Sequence, residues 1–200
     1  MKNTKQEILN VSLDLFSIYG FEATSMSKIA NTIGIRKASL YSHFESKQAI
    51  LNEIIDEILE YYDKKSIFVN TDWNTEDIPE SVDEIVKKIQ EQIQFILHDP
   101  YISKARKMLV IEQFNNPKLS KLQTKQNYID VLNYFTEFIQ LLIQKDILIK
   151  EDDATIMASQ FCLPITVWIN LCDREPEREN EVMEQICKHI EQFFKVYKKG

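Results

Sequence analysis

The chain has 200 residues, 44% of them hydrophobic and 28% charged, and a net charge of −7. This is the composition of an ordinary soluble globular protein of one or two domains, long enough to bury a substantial core. No apolar run reaches the roughly 18 residues that a membrane span requires, and "MKNTKQEILN" lacks the apolar stretch of a signal peptide, so cytoplasmic residence is expected.

Cys162, Cys172 and Cys187 are odd in number and form no CxxC pair, and His43, His98 and His189 are scattered. Neither a metal site nor a cofactor is expected from them, and the cysteines read as small hydrophobes. There are only three glycines, one of them terminal. Long stretches of Ile, Leu, Glu, Lys and Gln without a breaker point to an all-α protein of about nine helices.

In chain order, a first helix is expected from Thr4 to Tyr19, with Ile8, Ser12, Leu15, Phe16 and Tyr19 on one face and Gly20 at its end. A second, short helix fits Met26 to Ile33, with Ser25 as N-cap and Gly34 closing it. A third fits Lys37 to His43. Ser46 then caps a long fourth helix that carries Ile50, Ile54 and Ile58 to about Tyr62. "FVNTDWNTEDIPES", residues 68–81, reads as a loop, with Pro79 where the next helix can start. Helices follow from Val82 to Ile96, Ile102 to Phe114 and Leu119 to Gln144. Another runs from a cap at Asp152 or Asp153 to Leu171, and a last one from Glu179 to Tyr197. Pro164 should kink or break the penultimate one.

Charge is uneven along the chain. Residues 1–47 carry +2 and the remainder −9. A mildly basic N-terminal module on an acidic body suggests an anionic partner for the first part only. Two short helices joined at Gly34 have the size of a helix-turn-helix, with Ile29, Ile33, Ile35 and Leu40 facing a common core and Ala30 small where the helices approach. Lys28, Arg36 and Lys37 sit in the first turns of these helices, where cations oppose the helix dipole and cost about 0.3 kcal/mol or more each. A phosphodiester backbone lying against those helix ends would remove the conflict.

"TSMSKIANTIGIRKASLYSHFESKQAIL", Thr24 to Leu51, resembles the DNA-binding signature of the TetR family of bacterial transcriptional regulators. The resemblance rests on the turn of Gly20, Phe21, Thr24 and Ser25, the Ile29-Ala30 pair, the Gly34-Ile35 turn, and the run of Leu40, Tyr41, Phe44 and Lys47. It implies a helix-turn-helix DNA-binding domain at 1–47 and a helical ligand-binding and dimerisation domain at 48–200. By position, Thr24 and Ser25 would contact phosphate, while Lys37, Ala38 and Ser39 would read bases. Tyr41 and His43 would donate to phosphate, and Lys47 would pair with the backbone. Arg36 departs from the small polar residue often found there, and either a base or a phosphate is open to it.

The resemblance also implies that the last two long helices pair with those of a second subunit, through Phe161, Ile165, Trp168 and Leu171 on one and Val182, Ile186, Ile190 and Phe193 on the other. Tyr101, Met108, Glu112, Phe114, Tyr128, Phe135 and Phe161 are the candidates for lining a small-molecule pocket, against the simpler reading of an aromatic core. The function implied is that of a ligand-responsive repressor, binding a palindromic operator in double-stranded DNA as a homodimer and released by a small-molecule effector. An activator of the same fold and a helical protein-binding adaptor are the alternatives. An enzyme is not expected, because no nucleophile–base pair or paired acid constellation stands out.

Overall fold

The computed structural model describes residues 4–66, 81–149 and 153–199. Its helices are α1 (Thr4–Tyr19), α2 (Met26–Ile33), α3 (Lys37–His43), α4 (Lys47–Lys65), α5 (Val82–His98), α6 (Ile102–Glu112), α7 (Pro117–Thr124), α8 (Asp130–Gln144), α9 (Ala154–Arg174) and α10 (Glu179–Tyr197). A π-helical turn, Lys125–Ile129, joins α7 to α8. Taking that run as one, nine helices are present among the described residues, and the fold is all-α as expected. The loop expected over 68–81 lies outside the described residues apart from Ser81, which caps α5 by accepting from the Glu84 amide at 3.2 Å.

The chain forms two compact units. The first comprises Met1–Lys65 and Pro100–Gln123, the second Ser66–Asp99 and Thr124–Gly200. In the first, α1 buries Ile8, Leu9, Leu13 and Phe16 against α4, which supplies Ile50, Leu51, Ile54, Ile55 and Ile58. Met108 and Leu109 of α6 and Leu119 and Leu122 of α7 complete that core. Full burial of one such side chain stabilises by about 1.5–3 kcal/mol. Tyr19, expected on the buried face of α1, is instead half-exposed, because the apolar stripe ends at Phe16 and Gly20 turns the chain away.

The second unit is built on α8, α9, α10 and α5. Phe135, Phe161, Phe193 and Phe194 form an aromatic cluster, with Phe161 at 5.1 Å from Phe135 and 4.9 Å from Phe193. Asp153 caps α9, its Oδ1 accepting from the Thr155 and Ile156 amides. α9 runs through Pro164 without a break, contrary to one of the two outcomes expected there. Nearby carbonyls keep partners: Thr166 Oγ1 donates to the Leu163 carbonyl at 2.6 Å, and His189 Nε2 donates to that of Phe161 at 2.9 Å.

By length and composition α9 is apolar enough to cross a membrane, which the sequence reading did not find. Met157, Ala158, Phe161, Cys162, Ile165 and Ile169 place it in the core of the second unit, which accounts for that composition. Burial pushes the Cys162 thiol up to about 12, in keeping with a cysteine packed as a hydrophobe.

Candidate nucleic-acid interface

The pair α2–α3 is assembled by local rules. Ser25 is extended, and its Oγ accepts from the Lys28 amide at 3.1 Å, satisfying an otherwise orphan donor of α2. At the other end Gly34 is left-handed, at φ 82° and ψ 25°. The Gly34 and Ile35 amides both donate to the Ala30 carbonyl at 3.0 Å, a Schellman-type closure that ends α2. Arg36 then adopts an extended conformation and begins α3 without a side-chain cap.

α3 is held by two residues. Leu40 is fully buried and Phe44 is 4% exposed, both in the core shared with Ile29 and Ala30. Everything else on α3 faces outward: Arg36, Lys37, Ala38, Tyr41, Ser42 and His43 are exposed and Ser39 is half-buried. No acid lies between Arg36 and Phe44. The Lys37 ammonium stands 5.8 Å from the Tyr41 ring centroid, which keeps its stem along the helix surface.

Residues 8–54 match the sequence model described as bacterial regulatory proteins, tetR family. Those residues span α1 to the middle of α4 and include all of α2 and α3. That N-terminal segment is therefore similar to the DNA-binding part of the TetR family. Over 57 residues the chain is 37% identical to IcaR of Staphylococcus aureus, the negative transcriptional regulator of a biofilm operon. That stretch covers 28% of this chain and 31% of IcaR. Over 51 residues it is 43% identical to YerO, an HTH-type transcriptional regulator of Bacillus subtilis, covering 26% of this chain and 18% of YerO. The chain thus spans less than a third of the curated relatives it matches. Its fold is that of SmeT from Stenotrophomonas maltophilia, the repressor of the multidrug efflux pump SmeDEF, with a TM-score of 0.66 at 17% identity over 99% of this chain and 92% of that one. These relatives are transcriptional regulators rather than enzymes.

Within this TetR-like segment, several residues expected to meet DNA are engaged in the structure itself. Thr24 is fully buried; its Oγ1 donates to the Gly20 carbonyl at 2.9 Å and its amide to that of Phe21 at 3.2 Å. It therefore shapes the turn before α2 and offers no hydroxyl to a phosphate. Lys47 folds back: its Nζ donates to the carbonyls of Phe21 at 2.6 Å and Glu22 at 3.4 Å and sits 4.0 Å over the Phe21 ring. Lys28 lies 3.1 Å over the Tyr19 ring centroid, which screens the clash with the α2 dipole without any anion. Ser25 uses its oxygen as an acceptor in the cap and retains its O–H as a donor.

The seven residues expected to line a pocket are divided between the two units. Tyr101, Met108, Glu112 and Phe114 lie in the first unit, and Tyr128, Phe135 and Phe161 in the second. Met108 and Phe161 are fully buried core, and Phe135 packs with Phe161. Phe114 is 89% exposed just beyond the end of α6, and Tyr128 is half-exposed in the π-helical turn. Tyr101 stacks on Tyr61 and donates to Glu57 at 3.3 Å. Burial and the Glu57 carboxylate hold its phenol well above the ordinary value. Glu112, expected as a ligand-selecting acid, is buried and accepts from the Phe21 amide at 2.8 Å. An open depression of about 690 Å³ in the second unit is lined by Val82, Asp83, Glu191, Phe194, Lys195, Lys198 and Lys199, none of them among the seven.

The residues of the expected dimer stripe pack mostly inside one protomer. Phe161, Ile165, Val182, Ile186, Ile190 and Phe193 are buried within the protomer's own core, and Trp168 and Leu171 are half-buried against it. A helix with a strong apolar face buries it in the nearest core first, and α8 and α5 already supply one. The apolar residues that α9 leaves outward are Ile156 at 56% and Val167 at 64% exposure, while the half-buried Leu163 between them packs against the core.

Proposed function

We propose that the chain is a ligand-responsive transcriptional regulator, a repressor that binds a palindromic operator in double-stranded DNA as a homodimer through α2 and α3. The observation that carries this reading is the outer face of α3. Arg36, Lys37, Ala38, Ser39, Tyr41 and His43 form an acid-free surface on a helix anchored only by Leu40 and Phe44, in a segment that matches the TetR family. Lysine or arginine can bond guanine O6 and N7, and an alanine methyl can pack on that of thymine. Ser25, Tyr41 and His43 supply donors for phosphate. In an acidic protein, such a surface has an anionic polymer as its natural partner.

Residues 1–47 act as the reading head and 48–200 as the ligand and dimer body. The outward residues Ile156 and Val167 of α9 are the centre of the subunit interface, in place of the core stripe. Repression rather than activation is supported by the negative regulator IcaR and the repressor SmeT. A small-molecule effector is supported by the solved complex of SmeT with triclosan. The effector acts by binding more tightly to a conformer whose two heads no longer match adjacent major grooves, about 34–36 Å apart. A DNA partner would be met in the bacterial cytoplasm, which supports residence there.

The test is selection from random duplexes with the full chain, followed by titration of the enriched sequence over a range of salt. A palindrome is expected, with half-sites about one helical turn apart and affinity that falls steeply as salt rises. Enrichment of no duplex would overturn the reading in favour of a protein-binding adaptor.

A further inference from the structure

The turn between α1 and α2 is gripped from two sides by charged groups that touch no part of the outer face of α3. We propose that Glu112 is a positioning residue: by accepting the Phe21 amide it fixes the α1–α2 turn from α6, and so sets the bearing of α2 and α3 on DNA. This rests on the DNA-binding reading of α2–α3.

Glu112 is the last residue of α6 and is 4% exposed. Its Oε1 accepts from the Phe21 N–H at 2.8 Å, across 91 residues of sequence. A buried carboxylate is unfavourable unless bonded, and a bond from a backbone N–H to a carboxylate is charge-assisted and among the stronger kinds. If α6 had only to pack against α1, a leucine at this position would do so without that desolvation.

The backbone opposite is shaped to receive it. Gly20 lies at φ 80°, and a Cβ there would stand 2.9 Å from Glu112 Oε1 and 3.2 Å from Ile111 Cγ2. The absence of a side chain at residue 20 is what lets the end of α6 close onto the turn. The carbonyl of the same Phe21 accepts from Lys47 Nζ at 2.6 Å, with the ammonium 4.0 Å over the Phe21 ring. The N–H and C=O of one residue are therefore held by opposite charges, from the end of α6 and the start of α4.

From there the path to the reading helices is short. The Thr24 amide returns to the Phe21 carbonyl, Thr24 Oγ1 bonds the Gly20 carbonyl, and Ser25 caps α2. α2 ends in the closed Gly34 turn that launches α3. Every link from Phe21 to Arg36 is a made hydrogen bond or a rigid helix, so displacement of the Phe21 peptide is passed on to α3.

The experiment compares the wild-type chain with Glu112→Leu, Glu112→Asp and Glu112→Gln, each measured per folded molecule on the selected operator and on a scrambled duplex over a range of salt. Glu112→Leu keeps the packing but removes the acceptor. Glu112→Asp keeps the charge but withdraws it by one methylene, and decides alone if the leucine variant does not fold. Both are expected to lose operator affinity by on the order of tenfold, with scrambled-duplex affinity and salt slope unchanged, because the cations of the head remain in place. Glu112→Gln retains an amide oxygen for the Phe21 N–H and is expected to restore operator binding to within about threefold. Unaltered operator affinity in the leucine or aspartate variant would overturn the proposal, as would an equal loss on both duplexes. A wild-type chain that enriches no duplex sinks the DNA reading itself, a distinct outcome.

Discussion

Gly20 and Gly34 share nearly the same left-handed backbone, at φ 80° and 82°, but not the same surroundings. A Cβ at Gly34 meets nothing within 4 Å, whereas one at Gly20 collides with Glu112 and crowds Ile111. Gly34→Ala should therefore cost only the conformational term, about 1 kcal/mol. Gly20→Ala should cost clearly more, and thermal melting of the two variants, compared side by side, checks the order. The cations of the head divide in a similar way. Lys37 is exposed on α3, while Lys47 is occupied by two carbonyls and a ring. Lys37→Ala is expected to change the preferred operator sequence, measured by repeat selection. Lys47→Met is expected to weaken operator binding while leaving the salt slope intact; a slope reduced by about one would mean that Lys47 does reach a phosphate. The exposed face of α3 was legible in the sequence because Leu40 and Phe44, four apart, leave no other orientation. The fates of Thr24, Lys47 and Glu112 were not. A hydroxyl, a long amine and a carboxylate can each turn to the solvent or to a nearby carbonyl or amide, and only the fold decides which.

Among the elements, those with chemical punctuation at both ends were the readable ones. α1 is closed by Gly20, α2 lies between Ser25 and Gly34, and α3 starts after the extended Arg36; all three have the expected limits. The run from α7 to α8 begins two residues earlier than expected, at Pro117, where the Asn116 side chain accepts from the Lys118 and Leu119 amides. Its π-helical turn leaves no mark in composition, since a single widened turn disturbs the apolar period less than the period itself scatters. Between the start of α10 and the end of α5, Glu179 accepts from His98 Nε2 at 2.9 Å and from Gln94 at 3.0 Å. The bond from His98 is the main cause that holds the Glu179 carboxyl below the usual carboxylate range. A depressed folded-state value stabilises the fold above the unfolded pKa, about 4.3, and that contribution is lost as pH falls through the folded value. His98→Ala should bring the Glu179 titration back toward the ordinary range and shrink this acid-side loss, as read by NMR titration alongside acid unfolding.

For the whole molecule, the proposed subunit interface and the protomer core make opposite demands on α9. Its strongest apolar stripe serves the core, so Ile186→Asp on the facing α10 should unfold the second unit. Val167→Glu should leave the helix content and melting of the protomer nearly unchanged and convert the proposed dimer to monomer in sedimentation. The sequence shows that such a stripe exists but not which neighbour it meets, since a partner helix in the same chain and one in a second copy want the same side chains.

The first compact unit is also discontinuous: it takes Met1–Lys65, leaves for the second unit, and is completed by Pro100–Gln123. Ala105, Met108, Leu109, Leu119 and Leu122 share one core cluster with the residues of α1 and α4. During synthesis the reading head emerges first yet cannot close its core until those later residues have left the ribosome. At ~5–20 residues per second, that leaves an incomplete apolar surface on the nascent chain for several seconds, roughly 3–12 s. A fragment cut at Lys65 lacks that part of its core and is expected to melt without cooperativity in calorimetry.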